Sequence, residues 1–206
     1  MRQGSTLPLV SLWLGLAAGS PALAGGWGLP DESRGARVAP LLLLSRPDVR
    51  DDLKCTPDQA IEADRAIADF HRQAAGLKGR TDAAAKAERR LVDERQWMWI
   101  ELHLTDDQRD RLGQVDLRWE GPAAIHTRPA VAEALSLSPD QKAALARLVA
   151  EHHAERAKDP LAAGHKFEAK ATALLDEGQK QRWDRMLGRA FTPKVLAASS
   201  EREPGR

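Results

Sequence analysis

Apolar residues recur along this chain at helical rather than strand spacing. Ala144, Leu145, Leu148, Val149 and His152 fall at i, i+1, i+4, i+5 and i+8, which is one stripe of an α-helix. From Asp82 to His103 there is no Gly or Pro, and Leu91, Val92, Trp97, Met98, Trp99, Ile100 and Leu102 crowd the second part of the segment. That pattern predicts a long helix buried more deeply toward its C-terminal end. Gly121-Pro122 breaks the chain near its middle, and Asp159-Pro160 predicts an N-cap followed by a proline at the first helical position. Ala, Leu, Arg, Glu and Asp dominate, aromatics make up 4% and Tyr is absent, a mixture that favours helix over strand. The expected fold is all-α.

Helix starts carry a repeated signal. An apolar residue, then a hydroxyl or acidic residue, two further residues and Gln occur at Cys55-Thr56-Pro57-Asp58-Gln59, Leu104-Thr105-Asp106-Asp107-Gln108, Leu137-Ser138-Pro139-Asp140-Gln141 and Leu175-Asp176-Glu177-Gly178-Gln179. Each predicts a capping box. Thr56, Thr105, Ser138 or Asp176 accepts a bond from an orphan backbone N–H, and Gln59, Gln108, Gln141 or Gln179 reaches back to the N–H of the cap. Two copies lie in a longer repeat: Arg46 to His71 laid on Arg128 to His153, 82 residues later, gives ten identities in 26 positions. They include Arg46/Arg128, Pro47/Pro129, Arg65/Arg147 and His71/His153, while Ser45/Thr127 predicts a further N-cap ahead of each copy. A weaker match joins Leu104–Val115 to Leu175–Met186. The chain therefore reads as helical hairpins or a bundle built from two related helical halves, each a short helix, a capped helix, a long helix and a capped helix.

The ends divide the rest. Residues 1–24, with Arg2, an apolar run from Leu7 to Ala18 and Pro21-Ala22-Leu23-Ala24, read as a secretory signal peptide cleaved after Ala24. The run is too short for the roughly 20 residues that cross a bilayer, so no membrane span is expected. Periplasmic or secreted localisation follows. Residues 25–40 read as a flexible leader, 41–120 and 121–191 as the helical halves and 192–206 as a disordered tail. The 31 Lys and Arg stand against 30 Asp and Glu, leaving no basic surplus for a phosphate backbone, so nucleic acid is not an expected partner. Cys55 is the single cysteine, so no intramolecular disulfide can form. It stands where the other boxes have Leu and reads as a packed apolar group.

Export signal, helices throughout and repeated boxes together resemble the LTXXQ-motif family of periplasmic helical proteins, the Spy- and CpxP-like proteins. Leu104, Thr105 and Gln108, and Leu137, Ser138 and Gln141, carry the likeness, with Thr56 to Gln59 and Asp176 to Gln179 as degenerate copies; it covers the motifs, not the whole chain. The resemblance implies small helical hairpin dimers that act as envelope-stress chaperones or dampers of sensor kinases, with metal binding in one branch. This chain is longer, duplicated and neutral, where the chaperones are basic on their concave client surface. The expected assembly is a homodimer or, with two hairpin units fused in one chain, an intramolecular pseudo-dimer.

Candidate chemistry is sparse. Trp97 and Trp99 lie two apart on a helix and cannot both face fully inward, so they are the candidate contact surface for a protein partner, either unfolded clients or one dedicated envelope protein. Trp183 aligns with Leu112 and Leu145 and reads as core. Glu151, His152 and His153 are the candidates for a metal-responsive alternative, although the chain has no His-Glu-x-x-His and no cysteine pair. The repeat-equivalent His71 and His153 read as partly buried helix residues. Nucleophile-elbow, phosphate-loop and dinucleotide motifs are all missing, so no catalytic residue and no cofactor is expected, and the protein reads as non-enzymatic.

Overall fold

A computed structural model describes residues 29–156 and 160–194. The signal peptide and its cleavage site, residues 25–28 of the leader, Asp159 and residues 195–206 lie outside the described residues. The described chain is all-α, with no strand. After a 3-10 turn at Asp31–Ser33, ten helices follow: α1 (Pro40–Leu43), α2 (Pro47–Asp52), α3 (Pro57–Leu77), α4 (Ala83–His103), α5 (Asp106–Glu120), α6 (Ala123–Thr127), α7 (Pro129–Ala134), α8 (Pro139–Arg156), α9 (Pro160–Ala173) and α10 (Glu177–Leu187). The element order thus contains two short helices before α3 and two before α8, where the sequence predicts one in each place. α3 packs on α4, α8 on α9, and α5 on α10.

Two apolar cores form. One gathers Leu41, Leu43, Val49, Ile67, Val92, Ile100, Leu112 and Trp119, and the other gathers Ile125, Val131, Leu135, Leu145, Phe167, Ala171 and Trp183. Backbone turns recur at the 82-residue offset. Cys55 N–H donates to Arg50 O and Leu137 N–H to Ala132 O, and Lys54 and Ser136 both take positive φ, 54° and 56°. The expected caps at Ser45 and Thr127 do not form, because α2 and α7 begin one residue later with Arg46 and Arg128 as N-caps and no side-chain cap bond. The Ser45 hydroxyl donates to Leu42 O at the end of α1, and that of Thr127 donates to Glu120.

The repeated arginines are instead ion-pair centres, Arg46 buried and Arg128 partly so. Arg46, fully buried, donates Nε and Nη2 to Asp48 at 3.0 and 2.8 Å and Nη1 to Asp31 at 2.7 Å. Its remaining donors go to Leu29 O and Lys194 O, and its guanidinium lies 5.0 Å from the centre of the Trp119 ring. Residues 29–39 are therefore no loose leader: Leu29 packs on the first core, Ala36 is buried and Gly35 N–H donates to Trp119 O. Gly and Pro content suggests looseness locally, but these distant bonds hold the segment. Residues 192–194 are tied down likewise, Lys194 N–H donating to Asp48. Arg128 is held by Asp116 and Glu120, each at 2.6 Å.

These two centres respond oppositely to acid. Burial alone would raise Asp48, but its bonds from Arg46 and Lys194 N–H outweigh that and hold the carboxyl below its ordinary 3.8. Burial raises Asp116, helped by neighbouring Glu120, against the pull of Arg128 and Arg37, and its Oδ1 has no hydrogen-bond partner. The lowered Asp48 stabilises the fold above about pH 4, and this contribution fades as pH falls through its folded pKa. The raised Asp116 contributes stability present below about pH 4 and lost as pH rises through its folded pKa. In denaturant titrations between about pH 3 and 7, the deficit of Asp48→Asn should grow with pH and that of Asp116→Asn should shrink. Parallel slopes would refute this assignment.

Candidate functional site

The four boxes all close reciprocally. Gln59, Gln108, Gln141 and Gln179 each accept the N–H of Thr56, Thr105, Ser138 or Asp176 at 2.9–3.0 Å, and each backbone N–H of Gln donates to the cap side chain. A second geometry lies beyond the local motif: the glutamines meet in pairs. Gln59 Nε2 donates to Gln108 Oε1 at 2.9 Å and receives the return bond at 3.1 Å, while Gln141 and Gln179 exchange bonds of 2.7 and 3.0 Å. Gln59 also donates to His103 O and Gln141 to Leu174 O, the residues just before the paired helix starts. Glu would serve a capping box equally well, so Gln at all four places was the sequence signal for this second bond. Leu104, Leu137 and Leu175 are buried beneath the boxes, with Cys55 half-buried against the first core. Burial raises the Cys55 thiol pKa, partly offset by Arg50.

Gln59 bonds His103 O at the end of α4, and α4 carries the exposed apolar surface. Its inward residues Ala85, Val92, Gln96 and Ile100 are buried, whereas Trp97 is 50%, Met98 57% and Leu102 75% exposed. Trp99 packs on the first core and stacks on His103 at 4.6 Å. The structure therefore separates the two tryptophans: Trp97 faces water and Trp99 does not. Leu91, also exposed, lines up with Met98 and Leu102 within about 40° of helix arc, and Trp97 lies about a third of a turn away. Ile61 of α3 is a further exposed apolar residue. Charges beside the stripe include Glu94 and Arg95, the latter donating to Gln73 at 3.1 Å.

The metal candidates do not converge. Glu151 pairs with Lys170, and the His152 ring lies 4.9 Å from that of Phe167, with Nδ1 at 3.2 Å from Ala163 O. His153 is exposed rather than partly buried, while its counterpart His71 is half-buried, its pKa lowered by burial. His152, half-buried, stands where Phe70 is 82 residues earlier and packs its ring on Phe167. Among the described residues no group of three or more His, Cys, Asp and Glu could hold a metal ion, and no helix is long and apolar enough to cross a membrane. Sequence reasoning missed the pairing of the glutamines and the buried partners of Arg46 and Arg128. Compared with protein-family models, with curated proteins and with solved structures, the chain finds no match in any of the three.

Proposed function

We propose that this protein is an exported, non-enzymatic binder of other proteins that uses the outer face of α4, in the manner of an envelope chaperone. The observation that carries the reading is the set Leu91, Trp97, Met98 and Leu102, large apolar side chains left in water on one helix whose opposite face is firmly packed. Such a helix can offer apolar contact without unfolding, because Val92 and Ile100 anchor it to the first core and the Gln59–Gln108 pair fixes its end. Balanced charge around the stripe, with four basic and four acidic residues from Ala83 to Glu101, suits apolar contact more than steering by one sign of charge. The two sets of helices, joined through α5 and α10, support the reading of a fused pair in one chain.

Suppression of aggregation tests this. A chemically unfolding client followed by light scattering should stay in solution at near-stoichiometric protein, and Trp97→Ser/Met98→Ser/Leu102→Ser should need at least tenfold more for the same effect while keeping its helical content. Trp99 is left intact because its loss would damage the core. Unchanged scattering at large excess of the folded protein, or full activity of the triple variant, would refute the proposal.

A further inference from the structure

A hollow of about 620 Å³ opens between α6, α7 and α8, floored by Ile125, Leu137 and Leu145 and bordered by Ala132, Glu133 and Lys142. Its counterpart 82 residues earlier has the same turn, and an ion pair spans it. There Arg50 donates Nε to Leu44 O and its two terminal nitrogens to Asp64, laying its guanidinium across the junction of α1, α2 and α3. At the equivalent places the second set of helices has Ala132 for Arg50 and Ala146 for Asp64, so both members of that ion pair are reduced to methyl groups. The backbone is unchanged by that loss. Ala132 N–H and Arg50 N–H each donate to the carbonyl four residues back at 3.2 Å, and the positive-φ residue follows four positions later in both.

The substitutions also change the charges at the hollow. Glu133 replaces Asp51, which pairs with Lys194, and Lys142 replaces Ala60. Among the described residues neither the Glu133 carboxylate nor the Lys142 ammonium has an ion-pair or hydrogen-bond partner. The hollow thus carries the Glu133 carboxylate as an acceptor for a cation and the Lys142 ammonium as a donor for an anion, with His126 and Ser136 also on its border. We propose that this hollow binds an arginine bearing a free carboxylate, its guanidinium taking the place vacated at Ala132 beside Glu133 and its carboxylate meeting Lys142. The apolar floor receives the three-carbon stem, as apolar surface receives long charged side chains elsewhere, and the volume falls in the range of small-ligand sites.

NMR titration of the 15N-labelled protein tests the site directly. Free arginine or Nα-acetylarginine should give saturable shifts at the amides of Ala132, Glu133, Ser136 and Leu145. Citrulline and Nα-acetylcitrulline, which lack the charged head, and agmatine, which lacks the carboxylate, should each bind at least tenfold more weakly. Ala132→Arg fills the hollow and should abolish binding. Glu133→Gln should weaken it about tenfold with unchanged helicity, and Lys142→Ala should erase the preference over agmatine. Tighter binding of the free amino acid identifies a free-arginine site, and tighter binding of the acetylated form identifies the C-terminus of a peptide; either supports the proposal. Unsaturable shifts, equal affinity for the citrulline compounds or undiminished binding by Glu133→Gln would overturn it.

Discussion

Arg46→Ala should lower the stability of the fold by about 3–5 kcal/mol, the range found when one partner of a buried ion pair is removed. All five donor positions of this guanidinium are used: two on Asp48, one on Asp31 and two on the carbonyls of Leu29 and Lys194. Truncation would strand the Asp48 carboxylate, itself 5% exposed, without its counter-charge, and would remove the cation from the Trp119 ring. Lys cannot replace it, since a single ammonium cannot satisfy a bidentate carboxylate and two carbonyls together. Urea denaturation should show a shifted midpoint for Arg46→Ala and partial recovery in Arg46→Ala/Asp48→Ala, where the stranded charge is gone. A single-variant loss below about 1 kcal/mol would show that water or a neighbour takes over the role.

Gln179→Glu is expected to cost about 2–3 kcal/mol although it preserves size and the capping box itself. The new oxygen would face Gln141 Oε1 where an N–H now donates at 3.0 Å, and Gln179 is 3% exposed, so the new oxygen cannot turn to water. The capping bond to Asp176 N–H would survive. Acid supplies the check: the introduced carboxyl, once protonated, can donate again, so its pKa should rise in the folded variant. The deficit should then be smallest below the ordinary carboxyl range and grow as pH rises through the folded value. Gln59→Glu, in the less buried pair, should cost about 1 kcal/mol. A pH-independent deficit in Gln179→Glu would mean that packing, not the lost donor, is responsible.

Helix starts were legible because capping is local: Thr56 and Gln59, or Asp176 and Gln179, need nothing beyond three residues of chain. The partner of Gln59 is 49 residues away and that of Gln141 is 38, distances over which only the tertiary fold decides. The identity of Arg46 and Arg128 marked them as special, yet their carboxylates come from unrelated places, Asp31 and Asp48 in one case and Asp116 and Glu120 in the other. Periodicity showed that Trp97 and Trp99 must diverge, but the inward phase of α4 was fixed by Ala85, Val92 and Ile100 together, and small apolar residues on all sides of that helix blurred it. The hollow beside Ala132 was illegible for a simpler reason: an absent side chain leaves no motif.

Leu29 and Lys194, far apart in the sequence, meet on one guanidinium. Topologically the chain behaves as a ring fastened at Arg46, not as a string whose two sets of helices can be drawn off in turn. Tension applied between residues 29 and 194 loads the Arg46 and Asp48 bonds to Lys194 and the Arg46 and Ser45 bonds to Leu29 before it parts any pair of long helices. A rearranged chain that joins residues 194 and 29 by a short linker and opens at the turn Gly79–Arg80 would keep every helix whole and make the fastening covalent.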